Sequence, residues 1–176
     1  MIRVVTVEEE EIDPALLARL CTLLFQAYGI GCEPTDEGVL PRLAAKGPID
    51  AEDFLDEARC AGALSDDKIL FVTARPLRAR TLPSGEVPTQ SQSLIAEGRA
   101  IVSTHGLDDG DRERFVKRLG KHAIHEVGHL WGLHHCLDGR CALYPIWTPA
   151  FAAAELPQLC AFCREKSDAK IRLAKS

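Results

Sequence analysis

The segment 125–136, which reads HEVGHLWGLHHC, constrains this chain more than any other feature of its sequence. A helix advances about 100° per residue, so His125 and His129 lie one turn apart on the same face. Two imidazoles placed in this way can share one zinc ion at about 2.0–2.1 Å. Glu126 lies beside them and can accept a proton from a water on the metal without binding the metal itself. The segment therefore predicts a helix that carries two zinc ligands and a general base.

The residues after this helical turn supply a third ligand. Gly132 allows the helix to end sharply, because glycine adopts backbone conformations that other residues avoid. The chain can then bring His135 back to the metal, which leaves the fourth position open for water, as in catalytic zinc sites. His134 is the competing third ligand, one residue earlier, and the spacing favours His135. His122 falls on the same helix face, and we expect it to be solvated or to support a ligand.

Four of the seven cysteines cluster near the end of the chain. Cys136 and Cys141 form one close pair, and Cys160 and Cys163 form a second pair after 18 intervening residues. Two close pairs at this separation are typical of a four-cysteine structural zinc site. The alternative is two disulfides or buried free thiols. The N-terminus lacks the apolar core of an export signal, which predicts a reducing cytoplasm and favours zinc.

Together these motifs resemble the archaemetzincins, a branch of the metzincin metallopeptidases. The resemblance rests on the histidine motif and on the positions of the four cysteines that follow it. It implies an α+β, zincin-like metzincin fold. This fold has a mixed twisted sheet with a backing helix, a long active-site helix, a horizontal cleft and a small, irregular C-terminal zinc subdomain. It also implies zinc-dependent hydrolysis of peptide bonds, with two Zn²⁺ ions per chain, one catalytic and one structural.

One residue departs from the family pattern. The family usually has methionine two residues after the second cysteine, beneath the zinc ligands, where this chain has Leu143. No other methionine can replace it, because Met1 is the only one in the chain. Leucine nearly conserves the volume of methionine, and such exchanges usually cost less than about 1.5 kcal/mol. Tyr144 follows directly, and we expect it to pack in the subdomain, with stabilisation of an oxyanion as the alternative.

Hydrophobic periodicity and capping residues predict the elements that precede the motif. The predicted strands are Ile2–Val7, Lys68–Ala74 and Arg99–Thr104, with a short edge strand at Gln90–Ile95. The first predicted helix begins at Asp13-Pro14 and ends after Tyr28, and the second covers Ala51–Cys60. A third, long helix is predicted from about Asp111 to Gly132, with Asp108 or Asp109 as its cap. We predict a loop at Pro76–Pro88 and a tail with little periodicity. The chain then divides into a catalytic subdomain, residues 1–132, and a C-terminal subdomain, residues 133–176.

Composition limits the other classes of function. The chain has 176 residues and a formal net charge of −5, which disfavours binding to nucleic acid. No apolar run approaches the roughly 20 residues that a membrane-spanning helix requires. The sequence therefore predicts a cytoplasmic monomer that acts on a peptide or protein, without nucleic acid or membrane.

The sequence features bear on three candidate functions. The first is a zinc metallopeptidase that binds an extended peptide along an exposed sheet edge, at Gln90–Ile95 or Arg99–Thr104. The second is a catalytically weak or inactive zinc protein that binds peptides in the same cleft, for which Leu143 is the only support. The intact Glu126 argues against it, because a binding protein needs no general base. The third, a nucleic-acid zinc module, does not explain the histidines and the glutamate.

Overall fold

The computed structural model describes residues 1–7, 12–35, 46–60, 67–81, 85–94, 98–145 and 157–174. The helices in these ranges are α1 (Pro14–Tyr28), α2 (Ala51–Cys60), α3 (Arg112–Leu130) and α4 (Ala161–Ala174). The strands are β1 (Ile2–Thr6), β2 (Cys32–Pro34), β3 (Ile49–Asp50), β4 (Lys68–Thr73), β5 (Leu77–Thr81), β6 (Gly85–Thr89), β7 (Ser91–Leu94) and β8 (Arg99–Ser103). The described part of the chain contains no helix with the length and apolar character to cross a bilayer.

The main sheet is mixed, as predicted, with the strand order β2-β1-β4-β8-β7. The first four strands run parallel, and β7 pairs antiparallel with β8 at one edge. Alternate side chains of the central strands point to opposite faces. Leu70 and Val72 pack in the core beneath α1 and α3, whereas Ile69 and Phe71 pack against α2. This arrangement places α3, which carries the histidine motif, against β7 and β8.

The strands and helices predicted before residue 132 are confirmed, with one difference at the start of α3. Asp111 is the N-cap, and its side chain accepts a hydrogen bond from the Arg114 amide at 3.0 Å. Asp108 and Asp109, which we expected to cap the helix, instead accept bonds from the amides two residues onward, at 2.9 and 3.2 Å. Their carboxylates shape the preceding turns, so the helix begins later.

Two segments were predicted wrongly. The expected loop at Pro76–Pro88 contains β5 and β6, an antiparallel pair that forms a small sheet with β3. Its residues 82–84 lie outside the described ranges. The expected irregular tail contains α4, whose buried residues Cys163, Ser167 and Ile171 recur at every fourth position. A stripe this narrow, with a serine at its centre, produces little hydrophobic periodicity.

Candidate metal and catalytic site

The end of α3 is built by a glycine turn. Gly132 has a φ of 70°, in the left-handed region that glycine adopts without strain. Its amide donates to the His129 carbonyl at 2.9 Å, and the Leu133 amide donates to the Gly128 carbonyl at 3.0 Å. These two bonds form a Schellman motif, which satisfies carbonyls at the helix end and reverses the chain. The sharp helix end that Gly132 predicted is therefore present.

The reversal brings three histidines together. The Nε2 atoms of His125 and His129 are 3.0 Å apart. The His135 ring centroid lies 5.2 Å from that of His125 and 5.0 Å from that of His129. One nitrogen from each ring falls within a group less than 4.8 Å across, which a single metal ion can bridge. His125 and His129 are buried and His135 is exposed, so the group opens to solvent on one side.

Backbone carbonyls set the proton positions of the two buried histidines. The Nδ1 of His125 lies 2.8 Å from the Ala142 carbonyl, and the Nδ1 of His129 lies 2.7 Å from the Leu133 carbonyl. A carbonyl only accepts, so each Nδ1 carries the proton and each Nε2 presents a lone pair. This is the arrangement that orients histidine ligands on a metal. The residues present therefore fit a zinc ion.

The electrostatics of the three rings favour the neutral form that binds metal. Burial lowers the pKa of His125 to about 3, with further lowering by the neighbouring His129. Burial also lowers the pKa values of His129 and His135. Because a metal binds only the deprotonated imidazole, no proton must be removed from these rings near neutral pH.

Glu126 is buried beside the histidines and is held by serine hydroxyls. The Ser91 hydroxyl donates to Glu126 Oε1 at 2.7 Å. Burial raises the pKa of Glu126 to about 7, while hydrogen bonds from Ser93 and Ser91 act in the opposite direction. His122 Nδ1 lies 3.2 Å from the same Ser91 oxygen. Since the hydroxyl proton goes to Glu126, that oxygen accepts from His122.

Ser91 is a functional candidate that the sequence analysis missed. It lies on β7, 35 residues from Glu126 along the chain. A serine in a short edge strand carries no signal that distinguishes it from other strand serines. His122, which we expected to be solvated or to support the ligands, is partly buried and reaches the general-base candidate through Ser91. Burial lowers its pKa to about 4, so it donates as a neutral ring.

The four clustered cysteines also converge. One sulfur atom from each of Cys136, Cys141, Cys160 and Cys163 lies within 4.8 Å of the others, and none forms a disulfide. Backbone amides donate to two of these sulfurs: the Cys160 amide to Cys141 at 3.4 Å, and the Asp138 amide to Cys136 at 3.4 Å. Amide donors stabilise thiolates, the form that binds zinc.

The two groups share backbone. His135 and Cys136 are neighbours, and the Cys136 amide donates to the Leu143 carbonyl at 2.9 Å. Ala142, whose carbonyl accepts from His125, follows Cys141 directly. The Ala142 amide in turn donates to the Gln158 carbonyl at 2.8 Å, close to the second cysteine pair. Two of the three histidines are thus positioned by the segment that the cysteines anchor.

Leu143 packs against Gly128 of α3, which lies between His125 and His129 in the sequence. It is fully buried, and its Cδ2 atom lies 2.6 Å from the point where a Cβ on Gly128 would stand. The hydroxyl of Tyr28 lies 3.1 Å from the same point and donates to the Ile124 carbonyl. Gly128 therefore has a packing role that the spacing of the histidines did not reveal.

The remaining singled-out residues lie at the margin of the site. His134 is exposed and is not part of the three-histidine group. Tyr144 is half-buried, and its amide donates to the Cys141 carbonyl at 2.9 Å.

Sequence comparison identifies relatives of the whole motif region. The family model described as "Peptidase family M54" matches residues 93–168, which include all seven metal-ligand candidates and Glu126. An archaemetzincin from Pyrobaculum aerophilum is 40% identical over 125 residues, which cover 66% of this chain and 77% of the relative. An archaemetzincin from Methanopyrus kandleri is 35% identical over 99 residues, which cover 56% of this chain and 54% of the relative. The aligned part thus spans little more than half of that second protein.

Structural comparison gives the same fold over nearly the full length. The crystal structure of the Methanopyrus kandleri archaemetzincin matches with a TM-score of 0.78 at 23% identity, and the match covers 97% of this chain and 94% of that chain. The predicted α+β, metzincin-type fold is therefore confirmed.

Proposed function

Because this chain belongs to the archaemetzincins, peptidase family M54, we propose that it hydrolyses peptide bonds with a zinc ion held by His125, His129 and His135. The convergence of three histidine nitrogens, two of them with carbonyl-fixed tautomers, is the observation that carries the proposal. When bound, zinc supplies Lewis acidity that polarises the scissile carbonyl and acidifies a water molecule.

Glu126 acts as the general base. Glu126 follows His125 directly in the sequence, and its carboxylate accepts the proton of the attacking water and then delivers it to the departing amine. Ser91 holds one carboxylate oxygen by donating to Oε1 at 2.7 Å. Ser93 on the same strand also donates to this carboxylate. In the metal-free chain burial raises the pKa of Glu126 to about 7, and a zinc ion bound beside it would lower that pKa and favour the carboxylate that accepts the proton.

The peptide substrate pairs with β7. Of the two edges considered from the sequence, β8 lies between β4 and β7, whereas β7 is the terminal strand of the described sheet. An extended peptide can add to such an edge through main-chain hydrogen bonds. Because Ser91 of β7 also contacts Glu126, a peptide on this strand lies close to the base.

The cysteine group holds a second, structural zinc ion. Four thiolates fill a tetrahedral site and leave no position for water, unlike the histidine group. This ion anchors the C-terminal subdomain, residues 133–176, to the segment that carries His135 and Ala142. We further propose that the protein acts as a monomer in the cytoplasm, without nucleic acid.

Two measurements test this function. Zinc content per chain should be two, and loss of the cysteine group should remove one ion and weaken the binding of the other. The loaded protein should cleave members of an unbiased peptide library, with cleavage sites read by mass spectrometry. Saturable peptide binding without any cleavage by the loaded protein would contradict the proposal and support the alternative of a peptide-binding protein.

A further inference from the structure

A buried serine connects a histidine of α3 to the general base. His122 and Glu126 lie four residues apart in the helix, so one turn places them on the same face. Ser91 of β7 bonds to both, with its Oγ 2.7 Å from Glu126 Oε1 and 3.2 Å from His122 Nδ1. Ser91 is 1% exposed and Glu126 is 3% exposed, so these polar groups depend on each other rather than on bulk water. The three side chains form one short chain of hydrogen bonds.

The backbone around Ser91 is fixed by the sheet. Ser91 pairs with Val102 of β8, and the Gln90 carbonyl before it accepts from the Ser103 amide at 2.8 Å. The Thr89 hydroxyl donates to the Ser91 carbonyl at 2.9 Å. With its backbone held in this way, the Ser91 side chain can adjust only by rotation. The direction of its hydroxyl proton is therefore set by the two side chains that it meets.

Ser91 has one hydroxyl proton and two neighbours that can accept it. The ionised Glu126 carboxylate only accepts, whereas His122 Nδ1 donates when it carries the ring proton and accepts when it does not. With the ring proton on Nε2, His122 would compete with Glu126 for the Ser91 proton. With the ring proton on Nδ1, His122 donates to Ser91 Oγ, and the hydroxyl is left to donate to Glu126. The tautomer of His122 thus decides how firmly the carboxylate is held.

We propose that His122 is a positioning residue for Glu126, and that its Nδ1 proton directs the Ser91 hydroxyl to the carboxylate. This role rests on the proposed function, because Glu126 is the base of that reaction. Consecutive hydrogen bonds strengthen one another, so the donor on Ser91 also strengthens the bond to Glu126. A base held in one orientation toward the water lowers the barrier of the proton transfer. The effect therefore falls on kcat rather than on KM.

Substitutions at position 122 separate the two ring nitrogens. His122→Leu removes the donor, and kcat should fall about three- to tenfold, the effect of losing one hydrogen bond, with KM and zinc content unchanged. His122→Asn places its amide nitrogen near the position of Nδ1 and should restore most of kcat. His122→Gln is the matched control, because its longer side chain places the amide near Nε2 instead, and it should not restore kcat.

A double-variant comparison distinguishes positioning through Ser91 from a general loss of structure. After Ser91→Ala, His122→Leu should lower kcat by less than about twofold further, because the connecting hydroxyl is already gone. Ser93 of β7 also donates to Glu126, whereas the hydrogen bond of His122 goes to Ser91. After Ser93→Ala, His122→Leu should therefore retain its full effect. A purely structural role would lower kcat equally in both backgrounds.

The tautomer itself can be measured without any catalysis. Long-range ¹H–¹⁵N spectra of the zinc-loaded protein, with its six histidines labelled, show which nitrogen of each ring carries a proton. The signals that disappear in His122→Asn identify the ring of His122, and we expect its proton on Nδ1. A parent chain that cleaves no library peptide would contradict the proposed function, and this spectrum would still show whether His122 donates to Ser91.

Three results would overturn the inference. The first is a His122 ring with its proton on Nε2 and an unprotonated Nδ1. The second is an equal fall in kcat for His122→Leu with and without Ser91. The third is a His122→Asn variant that keeps its zinc and its melting temperature but is no more active than His122→Gln.

Discussion

Gly128→Ala tests how tightly Leu143 and Tyr28 pack against Gly128, between the histidines of α3. The new Cβ would stand 2.6 Å from Leu143 Cδ2 and 3.1 Å from the Tyr28 hydroxyl. Both neighbours are buried, and the Tyr28 hydroxyl is held by its bond to the Ile124 carbonyl. Neither can move away without disturbing the residues that position His125. Overpacking of this kind costs about 1–3 kcal/mol.

The same helix contains a matched control. In Gly120→Ala the new Cβ would stand 2.5 Å from Leu23 Cδ1, which belongs to a half-buried side chain that can rotate toward solvent. Both substitutions gain about 1 kcal/mol of helix propensity. The propensity gain cancels in the comparison, so Gly128→Ala should be less stable than Gly120→Ala by about 1–3 kcal/mol. At roughly 2–4 °C per kcal/mol, the melting temperatures should differ by several degrees.

The assay is thermal unfolding of both zinc-loaded variants, followed by a double variant. Leu143→Ala removes the atom that the Gly128→Ala methyl group would meet, so the two losses of stability should be less than additive, by about 1 kcal/mol or more. Zinc binding at the histidine group should weaken in Gly128→Ala and stay unchanged in the control Gly120→Ala. Equal melting temperatures for Gly128→Ala and Gly120→Ala would refute the tight packing of Leu143 and Tyr28 against Gly128. Strictly additive losses in the double variant would refute it as well.

Three further predictions concern the two metal groups and the base. Cys163→Ser should weaken zinc binding at the cysteine group and also at the histidine group. His129→Ala should leave the zinc ion of the cysteine group bound. Zinc per chain, measured for each variant against a graded chelator, checks both expectations. In the metal-free protein, the pKa of Glu126 rises on folding from 4.5 to about 7, so stability falls as pH rises through that window. Metal-free Glu126→Gln should therefore melt above the metal-free parent at pH 8, and the difference should vanish near pH 4. Ser91→Ala should lower kcat about tenfold or more with zinc retained. Ser103→Ala, which removes another buried hydroxyl that donates to the Arg75 carbonyl instead of to Glu126, should leave kcat unchanged.

The sequence predicted the histidine and cysteine groups because their ligands are close together along the chain. His125 and His129 share a helix face, and a single glycine turn suffices to return His135. The edge strand was also predictable from Gln90–Ile95, although its Ile95 lies outside the described residues. In each case a local rule of helix, turn or strand geometry sets the position.

The contacts that sequence reasoning missed all join distant parts of the chain. Ser91 meets Glu126 from another element, and Ala142 fixes the proton of His125 from beyond the helix. The close approach of Gly128 to Leu143 depends on how the turn after Cys141 folds back. None of these depends on residue type alone. They follow from packing, which a pattern of spacings along one chain does not specify.

The central claim is that Glu126 acts as the base beside a histidine-held zinc ion. The most direct measurement is the turnover of a cleaved library peptide by Glu126→Gln, with zinc per chain determined on the same sample. The amide keeps the shape of the side chain but cannot accept the proton, so turnover should fall by about 10²–10⁴-fold while both zinc ions remain. Turnover equal to that of the parent, in a variant with both ions bound, would contradict the account.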